Sequence, residues 1–257
     1  MKLDVAIATF RPEGIGRVCA MQLPQVEGVR YVVSWQEHGG ATLPQELMRS
    51  DMKIVRFSGK GLAANRNNAL DHCSAEIVLI ADDDLVYTPQ QLRSVILTMD
   101  ANPLVDIASF QYSGDHKTYP ADEAPITRKI PKGLTFTSFE VAIRQRCLNR
   151  LRYDERFGLN GTLYTIGEDD KLLLDAVRLG LNCRYFPITI TSHTGPTTGF
   201  RPVTDPRTAQ GMGYLIRGWY PASWPLRVPL KAYRLHKAGN SFWFCLRHLL
   251  AGATAKK

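Results

Sequence analysis

Short apolar runs alternate with helix-like segments along the first part of the chain. Strands are predicted at residues 3–8, 30–34, 53–57 and 76–81. The last run, EIVLIA, is continuously apolar, which is typical of a parallel strand covered on both faces. Helices are predicted at residues 61–72 and 89–99, with Thr88 as the N-cap of the second. This alternation predicts an α/β fold with a doubly wound, mostly parallel sheet and helices on both faces.

The second half of the chain has a less regular pattern. Strands are predicted at residues 105–112, 135–144 and 183–191, and a helix at residues 168–179. A polar, proline-containing stretch at residues 114–132 predicts a long loop between two of these strands. A loop of that length in a compact domain is usually functional or mobile.

Composition excludes several classes of protein. Apolar residues form 44% of the chain, which is enough for a sizeable core and argues against general disorder. The five cysteines are far apart and form no C-x-x-C pair, so we expect neither a zinc site nor a disulfide framework. We also expect no signal peptide and no membrane span, because no apolar run is long enough. These features favour a reducing cytoplasm.

The positive charge is concentrated in the last fifth of the chain. The formal net charge is +8, and no acidic residue follows Asp205. The basic residues after it are Arg207, Arg217, Arg227, Lys231, Arg234, Lys237, Arg247, Lys256 and Lys257. This asymmetry indicates an anionic partner for the C-terminal segment rather than for the whole surface.

The C-terminal segment also carries many aromatic and aliphatic residues among its basic ones. Such a mixture is typical of a helix at a membrane surface, so we expect residues 226–257 to contact a membrane. The protein would then be cytoplasmic and peripheral at the inner face of the cell membrane. The alternative is a helix that packs on the body of the protein with its basic face in water. Nucleic acid is not expected as a partner, because no motif for it accompanies the charge.

An acidic triplet, Asp82-Asp83-Asp84, directly follows the most apolar predicted strand. It therefore lies at the carboxyl end of the sheet, where α/β folds bind ligands. Adjacent carboxylates repel one another, and a divalent cation with a preference for oxygen ligands, Mg²⁺ or Mn²⁺, would neutralise them. The alternative is a solvated acidic turn that begins a helix.

A second acidic group, Glu168-Asp169-Asp170, opens a predicted helix after a glycine-containing loop. Acidic residues at a helix N-terminus are stabilised by the helix dipole, which is a sufficient structural explanation for them. The functional alternative is that one of these carboxylates acts as a general base.

A third motif, residues 59–67, places glycines and cations before a helix, so it could bind phosphate. It lacks the spacing of a P-loop or of a dinucleotide fingerprint, which argues against an ATPase or a dehydrogenase.

Taken together, these motifs resemble the family-two glycosyltransferases, which have the GT-A fold. The matching segments are Ala8-Thr9-Phe10-Arg11, Ala64-Asn65-Arg66-Asn67-Asn68-Ala69, Asp82-Asp83-Asp84 and Glu168-Asp169. Their order and spacing agree with the family from residue 3 to about residue 195. The resemblance implies a catalytic domain over residues 1–204, with a nucleotide-binding half (1–100) and an acceptor half (101–204). A basic helical extension over residues 205–257 would follow.

The resemblance also implies residue roles on the nucleotide side. Thr9, Phe10 and Arg11 would line the base and ribose, and Arg66 would contact the nucleotide or its phosphates. Asp82 would hold the ribose or uracil, and Asp83 would lie beside it on the nucleotide side without a definite contact.

A divalent metal, Mn²⁺ or Mg²⁺, would bridge the donor's two phosphates. Asp84 would coordinate this metal, and His193 resembles a position that completes the metal shell in some relatives. Residues 193–202, rich in Gly, Thr and Pro, could form a lid over the diphosphate or an ordinary loop.

On the acceptor side, Asp169 would be the base that deprotonates the acceptor hydroxyl. Glu168 and Asp170 would orient the acceptor.

One position departs from the family pattern. The second strand of the family usually ends in an aspartate that contacts uracil, whereas here it ends Trp35-Gln36-Glu37. Either Gln36 or Glu37 replaces that aspartate, or Trp35 stacks on the base. UDP remains the expected nucleotide.

The resemblance implies an inverting glycosyltransferase that moves a sugar from a UDP-sugar to a glycan or a lipid-linked acceptor. Its expected setting is the synthesis of bacterial surface polysaccharide. One alternative is a catalytically degenerate module that only binds carbohydrate or lipid. The other is a sugar nucleotidyltransferase, which would need a glycine-rich, basic loop directly after the first strand.

Overall fold

The computed structural model describes residues 1–114, 117–193 and 203–255. The chain forms two compact units. The first, which we call the sheet unit, comprises Met1–Lys60, Ala64–Tyr153 and Asp175–Gly195. The second, which we call the helical unit, comprises Gly61–Ala63, Asp154–Leu174 and Pro196–Lys257. The boundary predicted between residues 204 and 205 stays a prediction.

The sheet unit contains the eight strands found in the described residues. They are β1 Leu3–Phe10, β2 Val29–Gln36, β3 Met52–Phe57, β4 Ile77–Ala81, β5 Ile107–Ser113, β6 Ala124–Ile126, β7 Val141–Arg144 and β8 Cys183–Ser192. Their order across the sheet is β3-β2-β1-β4-β7-β5-β8-β6. β1 pairs in parallel with β2 and β4, β2 with β3, and β5 with β8. β7 is antiparallel to β4 and β5, and β6 is antiparallel to β8. The predicted mostly parallel α/β sheet is confirmed.

Seven α-helices occur in the described part of the chain. They are α1 Gly14–Ala20, α2 Leu62–Asp71, α3 Pro89–Ala101, α4 Glu168–Arg178, α5 Pro206–Trp219, α6 Trp224–Lys237 and α7 Phe242–Thr254. α3 begins with a capping box, in which the Thr88 hydroxyl accepts from the Gln91 amide and the Gln91 side chain accepts from the Thr88 amide. The N-cap predicted at Thr88 is therefore confirmed.

The core of the sheet unit explains why β4 is apolar throughout and β1 is mostly apolar. Every residue of β4 is buried, and Leu3, Val5 and Ile7 of β1 have no exposed surface. Each side chain of this kind contributes about 1.5–3 kcal/mol when it is fully buried. β1 and β4 pair in parallel within this core, so their C-terminal ends lie next to each other at the carboxyl end of the sheet.

Two predicted elements of the second half differ from the structure. Residues 135–140 are not strand, because a 3₁₀ turn at Ser138–Glu140 precedes β7. Ser138 and Glu140 are buried polar residues that bind other side chains, so their burial does not come from sheet pairing. The stretch at 114–132, predicted as a loop, contains β6, which pairs with the edge of β8.

The helical unit has a small core of its own. Its buried residues are Val203, Ala209, Val228, Ala232, Cys245, Leu249 and Ala253. α5 and α7 approach so closely that a Cβ atom on Gly252 would lie 1.8 Å from the Gln210 carbonyl oxygen. No helix in the described residues combines the length and the hydropathy needed to cross a membrane.

Asp154 of the helical unit forms ion pairs with two basic residues. Its carboxylate accepts from Arg156 at 2.7 Å and lies 3.2 Å from the Lys171 ammonium. Burial opposes ionisation of Asp154, but the hydrogen bonds from Arg156 and the charge of Lys171 outweigh it and lower the pKa to about 2. The ionised form is therefore favoured by folding.

We expect the stability that ionised Asp154 contributes to be lost in acid. It is fully present above the ordinary pKa of 3.8 and disappears as the pH falls toward 2. The Asp154→Asn variant should lose about 2 kcal/mol of unfolding free energy at neutral pH and roughly half as much near pH 3. Urea unfolding at both pH values tests this, with Asp100→Asn at an exposed position as the control. A difference between Asp154→Asn and wild type that does not vary with pH would contradict the prediction.

Candidate active site

The acidic triplet follows β4, and its three carboxylates have different surroundings. Asp82 contacts Arg66, Asp83 contacts Thr9 and Arg17, and Asp84 contacts His193. All of these residues belong to the sheet unit. The sequence predicted each of them as a site residue except Arg17, which it missed.

Asp83 is bound on both sides by the protein. The Thr9 hydroxyl at the end of β1 donates to its Oδ2 atom at 2.5 Å, and the Arg17 guanidinium on α1 donates to the same atom at 2.8 Å. The hydrogen bond to Asp83 raises the pKa of Arg17. Asp83 therefore ties β1 and α1 to the loop after β4.

We expect Gly14→Ala to disrupt the Thr9–Asp83 contact. A Cβ atom at residue 14 would lie 2.3 Å from the Thr9 hydroxyl oxygen, so one of the two groups must move. Overpacking of this kind costs about 1–3 kcal/mol. Gly16→Ala is the matched control on the same helix, because a Cβ atom there would meet nothing within 4 Å. Thermal unfolding should show a loss for Gly14→Ala alone, and equal stability of both variants would contradict the prediction.

Arg66 on α2 holds Asp82 in place. One terminal guanidinium nitrogen donates to Asp82 Oδ1 at 2.8 Å and to the Ser138 hydroxyl at 2.7 Å. The guanidinium also lies over the ring of Tyr153, 5.3 Å from its centroid. The Arg66 side chain is only 4% exposed, whereas Asp82 is 32% exposed. Asp82 can therefore reach a ligand while Arg66 supports it from inside the protein.

Asp84 and His193 are neighbours although they are far apart in sequence. Their Oδ2 and Nε2 atoms are 3.3 Å apart. Backbone hydrogen bonds in both directions between Val86 and Ser192 bring the triplet loop next to the end of β8. Burial is the main cause that raises the pKa of Asp84, and the charge of Asp82 adds to it. A cation at this carboxylate would relieve that cost.

The ends of β1 and β2 form the edge predicted to hold the base. The Arg11 amide donates to the Gln36 carbonyl at 2.9 Å. Arg11 and Glu37 both have left-handed backbone angles, with φ of 68° and 50°. Such conformations in non-glycine residues are uncommon and occur often at functional sites. Both side chains are exposed at this edge, and Phe10 is partly buried.

Trp35 cannot stack on a base as one of the sequence-based alternatives proposed. Its side chain has no exposed surface, and its indole N–H donates to the Arg11 carbonyl at 2.8 Å. Gln36 is also buried and donates to the Gly59 carbonyl at 2.6 Å. Of the three candidates, Glu37 is the one with an exposed side chain.

The second acidic group lies in the helical unit. Glu168, Asp169 and Asp170 occupy the first turn of α4, and all three are partly buried. Their charge is favourable at that position because of the helix dipole. Lys231 of α6 contributes to this unit's electrostatics: burial and then the charge of Arg234 lower its pKa, and Asp170 opposes the change.

Both the sequence and the fold are similar to those of glycosyltransferases. Residues 43–158 match the family described as Glycosyl transferase family 2, a range that includes Arg66 and the acidic triplet. The structure is similar to the crystal structure of S. aureus TarS 1-349, with a TM-score of 0.61 and 17% identity, covering 97% of this chain and 89% of that one. The matched segment is of the family-two glycosyltransferase type, and the chain has a GT-A fold.

Two further structures share the fold of this chain. S. aureus TarS 1-349 in complex with UDP-GlcNAc has a TM-score of 0.58 and 15% identity, over 97% of this chain and 89% of that one. A mannosyltransferase from Pyrobaculum calidifontis in complex with GDP-Man and Mn²⁺ has a TM-score of 0.56 and 15% identity, over 100% of this chain and 76% of that one. No curated protein sequence matches the chain.

The residues of the candidate site fit a metal ion that takes its remaining ligands from a bound substrate. Within residues 1–114, 117–193 and 203–255, no group of three His, Cys, Asp or Glu side chains could hold a metal alone. Asp84 and His193 supply one oxygen and one nitrogen donor. A carboxylate suits Mg²⁺ or Mn²⁺, and an imidazole favours a transition metal over Mg²⁺. The pair therefore fits Mn²⁺ if ligand oxygens complete the shell. The lid hypothesis for residues 193–202 concerns residues that, except for His193, lie outside the described part of the chain.

Proposed function

We propose that this chain is a glycosyltransferase that moves a sugar from a nucleotide-diphosphate donor to a hydroxyl of a glycan or a lipid-linked acceptor, with inversion at the anomeric carbon. The observation that carries the proposal is the pair of side-chain contacts after β4, Arg66 with Asp82 and His193 with Asp84. The Arg66–Asp82 contact would hold the group that binds the nucleoside, and the His193–Asp84 contact would hold the metal ion on the diphosphate. We place the reaction in the synthesis of bacterial surface polysaccharide, as the family resemblance implies.

On the nucleotide side, we assign the base and ribose to the exposed edge beside β1 and β2. Phe10, Arg11 and Glu37 would contact the base, and Asp82 would accept hydrogen bonds from ribose or base. Thr9 and Asp83 would act through their mutual contact, which fixes the edge. The structures of TarS with UDP-GlcNAc and of the mannosyltransferase with GDP-Man support a nucleotide-sugar donor. We expect a UDP-sugar.

Asp84 and His193 would hold Mn²⁺ or Mg²⁺. When it is bound, such an ion stabilises the negative charge that develops on the departing diphosphate. The mannosyltransferase that shares the fold was solved with Mn²⁺, which supports this assignment.

On the acceptor side, Asp169 would take the proton from the acceptor hydroxyl. The hydroxyl oxygen forms a bond to the anomeric carbon, and the bond from that carbon to the diphosphate oxygen breaks with its electron pair. Attack opposite the leaving group converts an α-linked donor into a β-linked product. Glu168 and Asp170 would orient the acceptor by accepting hydrogen bonds from its other hydroxyls.

A thermal-shift screen of nucleotide sugars, with Mn²⁺ or with EDTA, tests the proposed function. We expect one nucleotide sugar to raise Tm clearly more with Mn²⁺ than with EDTA, because a ligand at 100 times its Kd adds about 2.7 kcal/mol and the metal lowers that Kd. The same sugar should then release nucleoside diphosphate when acceptors are added. Release of pyrophosphate from a nucleoside triphosphate and a sugar phosphate would indicate a nucleotidyltransferase instead. Binding without turnover on any acceptor would indicate the degenerate module.

We also propose that the helical unit contacts an anionic membrane surface at the inner face of the cell membrane. Leu226, Leu230 and Tyr233 share one face of α6 by their spacing, and all three are exposed. Leu226 is 80% exposed, and Trp243 of α7 is 75% exposed. Arg227 and Arg234 are also exposed on α6, and no acidic residue follows Asp205. An apolar helix face with basic neighbours is the pattern of an interfacial helix, and each basic residue adds about 1 kcal/mol near anionic lipid.

We expect the double variant Leu226→Glu, Leu230→Glu to lose membrane binding. The change places two carboxylates on the apolar face, where they would repel anionic lipid and have to lose their hydration. Co-sedimentation with liposomes that contain phosphatidylglycerol measures it, with phosphatidylcholine alone as the neutral comparison. The matched control is Leu97→Glu, Leu104→Glu in the sheet unit, since both leucines are also exposed. Equal recovery of the two double variants and the wild type would end the membrane proposal.

A further inference from the structure

The 3₁₀ turn at Ser138–Glu140 contains three consecutive buried side chains, and each of them contacts a different part of the protein. We propose that this turn is a positioning element that fixes both the nucleotide-side contact, Arg66 with Asp82, and the metal-side contact, His193 with Asp84. The inference rests on the proposed function, because it concerns how the same two contacts are held.

Ser138 serves the nucleotide side. Its hydroxyl accepts a hydrogen bond of 2.7 Å from the same Arg66 nitrogen that donates to Asp82 at 2.8 Å. Because the Arg66 side chain is almost fully buried, its orientation depends on the few acceptors around it. Loss of the Ser138 hydroxyl would let the guanidinium rotate, and Asp82 would move with it.

Phe139 serves the metal side. Its ring stacks on the His193 imidazole, with centroids 5.5 Å apart and an interplanar angle of 26°. Tyr112 meets His193 edge-on at 6.2 Å and packs against Phe139 at 5.1 Å. His193 itself is 7% exposed. The two aromatic rings therefore restrict the imidazole to an orientation that leaves Nε2 beside Asp84.

Glu140 holds the turn in place through hydrogen bonds to two side chains, and one of these connects it to Tyr112. Its carboxylate, which is fully buried, accepts from the Lys117 ammonium and from the Tyr119 hydroxyl. The Tyr119 hydroxyl in turn accepts from the Tyr112 amide at 3.1 Å. Tyr112 is the same residue that contacts His193, so the network leads from the turn back to the metal side.

Two pairs of variants separate positioning from ordinary packing. Phe139→Leu removes the ring that stacks on His193, and Phe110→Leu removes a buried ring that stacks on Phe186 at 5.9 Å. Ser138→Ala removes the Arg66 acceptor, and Ser109→Ala removes a buried hydroxyl that has no hydrogen-bond partner. Within each pair the chemical change is the same, and only one of the two variants alters a neighbour of the site.

The readouts are two affinities and Tm. Electron paramagnetic resonance of free Mn²⁺ gives the metal affinity at saturating UDP, and calorimetry in EDTA gives the metal-free UDP affinity. We expect Phe139→Leu to weaken Mn²⁺ binding by about 10-fold or more and to leave metal-free UDP binding unchanged. We expect Ser138→Ala to weaken metal-free UDP binding by about 10-fold, because it removes a hydrogen bond to a charged group. Phe139→Tyr and Ser138→Thr, which keep the ring and the hydroxyl, should restore wild-type values.

Equal changes in Mn²⁺ affinity for Phe139→Leu and Phe110→Leu would overturn the positioning role. So would equal UDP affinity for Ser138→Ala and Ser109→Ala. If Phe139→Leu does not fold, Phe139→Met, whose unbranched and flexible side chain adapts to irregular space in a core, takes its place with the same expectation. Asp84→Ala distinguishes this failure from a failure of the proposed function. If Asp84→Ala keeps wild-type Mn²⁺ affinity, the metal site itself is misassigned, whatever the turn does.

Discussion

Replacing Asp169 with asparagine is expected to abolish sugar transfer while leaving donor binding unchanged. Asparagine has the shape of aspartate but cannot take the acceptor's proton near neutral pH. General base catalysis contributes about 10²- to 10⁴-fold to a rate, so kcat should fall by that order. The donor's Kd, measured by calorimetry with Mn²⁺ present, should match that of the wild type, because Asp169 is assigned to the acceptor.

A second aspartate on the same helix provides the control for this prediction. Asp175 of α4 pairs with Arg178 at 3.7 Å, and its replacement by asparagine should change turnover little. Glu168→Gln and Asp170→Asn should raise the KM of the acceptor more than they lower kcat, because their assigned role is orientation. Normal turnover by Asp169→Asn would remove Asp169 from the role of base.

Replacing Asp84 with alanine is expected to remove the metal-dependent part of nucleotide binding. The variant loses the only carboxylate found within hydrogen-bonding reach of His193 among the described residues, so Mn²⁺ affinity should fall by at least about 100-fold. Metal-free binding should persist, because the contacts of Arg66 with Asp82 and of Thr9 with Asp83 remain. Titration of UDP with Mn²⁺ and with EDTA measures both quantities.

Asp83→Asn, at the position next to Asp84, is the control for the Asp84→Ala prediction. It weakens the contacts of residue 83 with Thr9 and Arg17, so it should lower Tm. It should also preserve the gain in UDP affinity on addition of Mn²⁺. If Asp84→Ala keeps that gain, the assignment of the metal to residue 84 is wrong.

Much of the fold could be predicted because its signals are local. The continuous apolar run before the triplet identified β4, and Thr88 with Pro89 identified the start of α3. The sequence failed where buried polar residues interrupt the pattern. At Ser138–Glu140 the residues are buried like those of a strand, but their partners are side chains rather than a neighbouring strand.

The acidic residues of the site could be predicted, whereas their supports could not. Arg17 is 66 positions from Asp83, and Ser138 is 72 positions from Arg66, so no local motif connects them. The structure also narrows the role of Asp83, which the resemblance placed on the nucleotide side without a definite contact. Its carboxylate is bound to Thr9 and Arg17, which favours support of the site over direct recognition.

The burial of Trp35 is a different case, since a signal for it was present. Tyr31, Val33 and Trp35 lie at every second position of β2, and all three are fully buried. Side chains two positions apart point to the same face of a strand, so the two earlier residues already indicated a core position for the third. The aromatic character of Trp35 suggested base stacking, but the strand period was the stronger signal.

The most direct test of the proposed reaction follows the anomeric proton of the sugar by NMR while the enzyme hydrolyses a nucleotide sugar. UDP-GlcNAc and GDP-Man are suitable first donors, with water as the acceptor. We predict that nucleoside diphosphate and the β-anomer of the free sugar appear together, and that EDTA, Asp84→Ala or Asp169→Asn suppresses both. Initial release of the α-anomer, or release that persists in EDTA, would contradict the proposed inverting, metal-dependent transfer.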